Sequence, residues 1–486
     1  MTPSSGTGEK KRAATGRKAN KRPTLRLVTE PGDHGRTAKA AHAKLTSKEL
    51  LYLDGLGVLS LAVLLNAFGL VMVLSSSTVA SINSAGTPWS LFEKQLIWTA
   101  LGALCCFVAI RIPLQRMRQL SIPLLLCVIV LLGLVFFPVF GSTVGGSSRW
   151  IDLGPLQIQP SEFAKLALVL FLCDLATRRQ NARDEFKAIF IPALLALGIL
   201  AVLIIKQPDL GTAIVLTCIA ASVLFAAGVR RRTLIGVIGT LSLVGIVLAT
   251  DESYRRERFL AFMHPMANAT GSGYQLAQSL IALGSGHLTG SGIGGSVAKW
   301  NLLPNAWTDF IFAIVGNELG LLGGIAVIVA FAAFAYFGLR IARRTPDRFS
   351  SLLAIGITAW IVSQAFINIG GVEGALPETG VPLPFISSGG SSLVVALVAV
   401  GLLYNIASNP TRESLARRVE VPMPRASRSA AAPRKAAAAP TAARRVHPST
   451  GQRPGRAVAP VRRRAATSRS ASRPRAPKST TRVVAR

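Results

Sequence analysis

Asp309 stands at the mouth of a long apolar segment, in Leu303-Pro304-Asn305-Ala306-Trp307-Thr308-Asp309-Phe310-Ile311-Phe312-Ala313. The connection before it, residues 250–308, carries Arg258 and Lys299. An ionisable group so close to lipid costs about 2.5–3.5 kcal/mol on insertion scales, which makes it a functional candidate by default. The plainer alternative is an acid favoured by a helix N-terminal dipole. The same segment holds Glu318. On a straight helix nine residues turn through about 900°, which puts the two carboxylates on opposite faces. That spacing argues against a paired acid and base. It suits a reaction with one general base and a leaving group that needs no proton.

Further polar groups cluster in short motifs. Arg149-Trp150-Ile151 precedes Gln159-Pro160-Ser161-Glu162-Phe163-Ala164-Lys165. There Ser161 can cap a helix, and Glu162 and Lys165 lie three apart, close enough to pair. The pair is either a buried ion pair or a headgroup contact with Lys165 free to meet phosphate. Gln207-Pro208-Asp209-Leu210-Gly211-Thr212 reads as a tight turn with Asp209 at a helix start. The run Gly374–Ser392, with Glu378, has prolines and glycines that fix an irregular backbone, tolerated at membrane depth only when buried or lining a cavity. Gly290-Ser291-Gly292-Ile293-Gly294-Gly295 matches G-x-G-x-x-G, but no strand or βαβ unit surrounds it, so a packed or flexible loop is the better account. No Walker A sequence occurs.

The elements that must position these groups are membrane helices. Mean hydropathy is +0.46 and only 16% of residues are charged, unlike a soluble globular protein. The formal charge of +32 sits in the tails: residues 1–49 hold 12 Lys/Arg against 4 acids, and 411–486 hold 20 against 2. The tails lack base-stacking aromatics and nucleic-acid motifs, so they read as disordered polybasic arms that favour anionic membrane lipids, not nucleic acid. The first apolar run follows a long charged arm and acts as an uncleaved anchor. Cys105, Cys106, Cys127, Cys173 and Cys218 fall in apolar runs and read as packing residues.

Spans of roughly 20 apolar residues are predicted near 56–76, 91–111, 120–140, 161–177, 187–206, 210–229, 233–249, 309–338, 350–371 and 389–408. The fold class is therefore an all-α polytopic membrane protein with about ten helices and a large external loop, 250–308, between the seventh and eighth. Residues 50–410 form the membrane domain. Connections rich in arginine (111–118, 178–183, 230–232, 340–348) alternate with the uncharged 77–90 and with 371–388, which has no Lys or Arg. By the positive-inside rule the former are cytoplasmic, and both tails with them. Most remaining ionisable residues then face outward, with Asp174 the main exception.

Together these motifs resemble the SEDS family (shape, elongation, division, sporulation) over roughly residues 50–410. The resemblance rests on RWI…QPSEFAK, QPDLGTA, YRRERFLAF…GYQLAQSLIALGSG, LP-x-A-x-TDFIFA, GNELG and LPETGVPLPFISSGGSS, in that order. It implies a ten-helix glycosyltransferase that polymerises lipid II into peptidoglycan beside a class B penicillin-binding protein, an FtsI-like transpeptidase. The basic tails look more like the actinobacterial FtsW branch than RodA. The family's catalytic aspartate falls on Asp309, and its loop basic residues on Arg258 and Lys299. Arg149, Glu162, Lys165 and Glu378 are the further substrate-binding candidates. The chain departs from the family at Asn305, Trp307, Asn317 and Ser388, where members often have Glu, His, an acid and Tyr.

The resemblance also implies a mechanism. A GlcNAc 4-hydroxyl attacks the MurNAc anomeric carbon in one inverting displacement, with Asp309 as general base. Undecaprenyl pyrophosphate leaves against positive charge from Arg258, Lys299 or a divalent cation (magnesium or manganese) near Asp309. The expected setting is the septum, with divisome partners that include FtsZ through the basic C-terminal tail. The alternatives are a lipid II flippase, a RodA-type elongation polymerase and a non-catalytic division scaffold.

Overall fold

In a computed structural model the chain is described over residues 47–419, apart from 138–140, 145–146, 153–156, 182–185, 233, 236–238, 240–261 and 272. All described residues belong to one unit, Met1–Val421. The predicted span at 233–249 lies almost wholly outside the described residues, as do Arg258 and most of both tails.

The helices in chain order are α1 (Ser47–Ala85), α2 (Ser90–Arg111), α3 (Leu114–Gln119), α4 (Ser121–Leu134), α5 (Pro160–Arg178), α6 (Ile191–Lys206) and α7 (Leu210–Ala227), followed by α8 (Tyr274–Ser285), α9 (Ile311–Arg344), α10 (Arg348–Val372) and α11 (Gly390–Val419). Among the described residues seven helical segments are long and apolar enough to cross a membrane, in α1, α2, α6, α7, α9, α10 and α11. The predicted spans at 120–140 and 161–177 correspond to α4 and α5. The first is a helix of only 14 residues, and the second carries Glu162, Lys165, Asp174 and Arg178.

Two features depart from the sequence expectation. The chain is not wholly helical: β1 (Gly141–Val144), β2 (Ser147–Asp152) and β3 (Gln157–Ile158) form an antiparallel sheet between α4 and α5. The chain there is short on apolar residues that would extend a span. The eighth span also begins later than 309, because α9 starts at Ile311 and Asp309 lies in the turn before it.

Local signals set the helix ends. Asp209 caps α7 by accepting from Thr212 N at 3.1 Å, and Asp347 caps α10 by accepting from Ser350 N at 2.8 Å. Pro160 opens α5, where its missing N–H costs nothing. At the arginine-rich end, buried Asp54 of α1 pairs with Arg340 (3.2 Å) and Arg344 of α9. Buried Asp174 of α5 accepts from Arg118 and Arg178, each at 2.8 Å.

The least regular helix is α9. Gly320 has φ 68° and ψ −167°, which breaks the helix and leaves backbone groups without helical partners. The segment after α8 supplies them. Ser291 N and Gly292 N donate to Asn317 O and Glu318 O at 3.0 and 2.9 Å, and Leu321 N and Leu322 N donate to His287 O and Leu288 O at 2.9 and 3.3 Å. The glycines of the G-x-G-x-x-G run thus let one backbone lie against another, since a Cβ at Gly290 would collide with the Glu318 carbonyl. The run is a packed loop.

Gly320→Ala should destabilise the fold by about 1–3 kcal/mol, because that backbone region is nearly closed to residues with a Cβ. Gly198, a helical glycine with open space around it, should tolerate alanine with little change. Thermal unfolding of the two variants in detergent tests the contrast.

Candidate functional site

The run 376–391 is the piece on which the sequence motifs converge. Its backbone is irregular and largely buried, so its carbonyls need donors from elsewhere. Side-chain amides provide them. Gln364 Nε2 donates to Pro382 O at 2.9 Å and Asn368 Nδ2 to Val381 O at 2.8 Å, both from α10. Asn66 of α1 and Gln95 of α2 reach Phe385 O and Ser387 O at 3.4 and 3.5 Å. Phe385 is held at φ 67°, a strained value for a residue with a side chain.

Asp309 is seated against this run. Asn368 Nδ2 donates to Asp309 O at 2.7 Å as well as to Val381 O, so one amide joins the acid's backbone to the loop. Ser387 Oγ donates to Thr308 O at 2.7 Å and accepts from Leu383 N at 2.8 Å. Ser388 N donates to Trp307 O at 2.9 Å. Gly380, at φ 68°, lies so close that a Cβ there would sit 3.6 Å from Asp309 Oδ2. The side chain of Asp309 is half-buried. Its position is therefore fixed by three consecutive backbone carbonyls.

The other motifs abut the same run. Glu162 and Lys165 form a fully buried ion pair at 2.6 Å. Lys165 Nζ also donates to Gln364 Oε1 at 2.8 Å and lies over the Trp360 ring at 5.4 Å. Gln364 accepts from Trp360 Nε1 at 2.9 Å, so it links the ion pair to Pro382. Arg149 of β2 donates to Gln207 O (2.8 Å) and Pro208 O, which closes the turn before α7. Asp209 in that turn also accepts from Ser161 Oγ and Thr212 Oγ1 at 3.3 and 2.8 Å. Gly211 packs directly on Thr379 and Val381. Glu378 is half-buried in the run, with both carboxylate oxygens shielded from solvent.

Lys299, the other loop cation of the sequence, is engaged within the protein. Its ammonium donates to Gly294 O and lies 3.5 Å from Glu318, with 9% of its side chain exposed. Glu318 is wholly buried and accepts from Ser75 Oγ of α1 at 2.7 Å and from Ser296 N at 3.4 Å. Neighbouring Asn317 donates its amide to Ala282 O and Ser285 Oγ at 2.9 and 2.6 Å. An ionised acid at that position could not donate to the Ala282 carbonyl.

The structure thus brings Asp309, Glu378, Glu162 and Lys165 to one loop. It ties Lys299 to Glu318, two residues before the helix break, and Arg258 lies outside the described residues. Among the described residues no three His, Cys, Asp or Glu side chains converge as metal ligands. A divalent cation at Asp309 would take most of its oxygen ligands from substrate phosphate and water. Sequence reading missed Gln364, Asn368, Ser387 and Ser75. The available signal was two amides four apart, on one face of an apolar helix.

Comparisons with known proteins agree in kind. A family model for cell cycle proteins of the FtsW, RodA and SpoVE type matches residues 57–412. A probable peptidoglycan glycosyltransferase FtsW of Geobacter metallireducens is 40% identical over 365 residues, covering 75% of this chain and 97% of the relative. One of the same description from Mycobacterium tuberculosis is 38% identical, covering 72% of this chain and 67% of the relative. Among solved structures, a chain from work on structural coordination of polymerization and crosslinking by a peptidoglycan synthase complex has a TM-score of 0.60 at 28% identity. It matches 73% of this chain and 97% of its own. Thermus thermophilus RodA, at 26% identity and TM-score 0.55, matches 73% of this chain and 96% of its own.

Asn368→Ala removes the donor to two carbonyls, and each buried group left unpaired costs about 1–3 kcal/mol. Hydrogen exchange at Thr308–Phe310 should rise sharply in this variant while α10 itself stays protected. Asn368→Asp should behave alike, since a carboxylate cannot donate.

Proposed function

The chain belongs to the FtsW, RodA and SpoVE family, and from that membership we infer that it is a multi-pass membrane peptidoglycan glycosyltransferase of cell division. The observation that carries the catalytic assignment is Asp309, an acid whose three adjoining carbonyls are hydrogen-bonded to α10 and to the 376–391 run. Its carboxylate is the general base that takes the proton of the attacking GlcNAc hydroxyl. Proximity and fixed orientation of this kind carry much of an enzyme's rate. The substrate is lipid II, and the bond to its pyrophosphate supplies the driving force, so no nucleotide is needed.

The leaving pyrophosphate needs cations and no proton. Arg258 and Lys299 are assigned to it. Glu162 and Lys165 are buried against α10, and their role is to hold the loop beside Asp309. Arg149 does the same through the Gln207–Pro208 turn. Both tails are cytoplasmic and the site faces outward, where a class B penicillin-binding protein would receive the new strand. The C-terminal tail, with 17 basic residues against one acid over 420–486, suits an acidic cytoplasmic partner such as FtsZ, or anionic lipid.

Asp309→Asn should abolish glycan polymerisation from lipid II by the purified protein with its partner, with membrane insertion unchanged. Polymer near the wild-type yield from folded variant would remove the assignment. Lys299→Ala should lower activity by about 10- to 1,000-fold, the usual scale for a lost electrostatic stabiliser. The double variant with Glu318→Gln distinguishes two causes. If Lys299 serves pyrophosphate, activity stays low. If it serves only to neutralise Glu318, activity recovers.

A further inference from the structure

The segment between α8 and α9 has the surface of a membrane-facing element. Over residues 286–306 the sequence has one Lys and no Arg, Asp or Glu. That one cation, Lys299, is turned inward onto Glu318. Beside the exposed polar residues His287, Thr289, Ser291 and Asn301, the large side chains that face outward are apolar: Leu288, Ile293, Val297, Trp300 and Leu302 are between 42% and 66% exposed. A water-facing loop seldom presents so many large apolar groups with no exposed charge among them.

Its attachment sets where that surface lies. The backbone bonds from Leu321 N to His287 O and from Leu322 N to Leu288 O fix it to α9 beside the break at Gly320. Leu321 and Leu322 are themselves 55% and 61% exposed, on a helix apolar enough to span the membrane. From Gly320 to Arg340 there are twenty residues, or about 30 Å of helix. That length equals the hydrocarbon thickness of a bilayer, about 30 Å. With Arg340 at the opposite interface, the break and the segment docked on it fall at the other headgroup boundary. Tryptophan is enriched at that level, where its ring is apolar and its N–H can meet water.

We propose that residues 287–302 insert their outward face into the lipid interface as a membrane anchor, with bilayer lipid as the occupant of the Leu288–Leu302 surface. The exposed glycine backbone at 292–295 stays at headgroup level, where water still satisfies it, and the five side chains reach toward the acyl chains. The inward face holds Lys299 at the same level. The anchor thereby keeps the loop's cation in the plane where any lipid-linked pyrophosphate must lie.

The test uses the full chain in phosphatidylcholine nanodiscs made with ordinary or with bromine-labelled acyl chains. The difference in emission between wild type and Trp300→Phe isolates Trp300. Brominated lipid should quench most of that emission, and aqueous iodide should quench little. Ile293→Trp in the Trp300→Phe background should give the same result at a second point of the surface. Quenching by iodide without quenching by bromolipid would place the loop in water and overturn the proposal. Protection from both quenchers would mean that protein covers the surface, which overturns it equally. Neither readout depends on glycosyltransferase activity, so the proposal can fail or stand apart from the catalytic reading.

Discussion

The constraint on which this architecture depends is the hydrogen-bonding of irregular backbone inside an apolar bundle. Every unsatisfied peptide group there costs several kcal/mol, yet the site is built from two stretches that are not helical. The run 376–391 meets the constraint with side-chain amides from three helices. The break at Gly320 meets it by pairing with a neighbouring loop. These bonds also locate the candidate chemistry. Asn368 satisfies two carbonyls with one amide, and one of those carbonyls belongs to Asp309.

The same logic explains why the interior charges sit where they do. Glu162 is neutralised by Lys165, and Lys165 spends its other contacts on Gln364 and the Trp360 ring. Burying such a pair is weak evidence for stability, because desolvation offsets most of the attraction. Its value lies in specificity: Gln364 can orient toward Pro382 because Lys165 holds its oxygen. Glu318 follows a parallel rule at the other stretch, where Ser75, Ser296 and Lys299 converge from α1 and the loop. Glu162 and Glu318 thus each tie an irregular segment to the bundle.

Much of this was legible in the sequence, for identifiable reasons. The apolar periods gave the helices, the Pro- and Gly-rich run 374–392 announced an irregular backbone, and Asp209 was readable as a cap. The position of Asp309 beside an apolar segment marked it as costly and hence a functional candidate. Other features left weaker traces. The sheet at 141–158 is short and its residues carry no clear alternation. The two amides of α10 share their span with Ser350, Ser351, Thr358 and Ser363, so they do not stand out from its other uncharged polar residues. The inward turn of Lys299 depends on Gly320 and on backbone pairing across residues 287–322, which no local pattern encodes.

The departures from the family motifs become intelligible in these terms. Asn317 donates to the last turn of α8, and Ser388 uses its backbone N–H on the Trp307 carbonyl, so neither side chain needs to ionise to hold its segment. Asn305 takes φ 56°, a left-handed conformation that asparagine adopts more readily than most residues, and its carbonyl accepts from Thr308 N and Phe310 N at 3.1 and 3.3 Å. That turn delivers the chain into α9 with Asp309 one residue before the cap. The carbonyls of residues 307–309 are all bonded to α10 or to the 376–391 run, so the acid proposed as the base is held in place by its own backbone. An inverting displacement with a pyrophosphate leaving group, the reaction proposed for this site, needs one base so positioned.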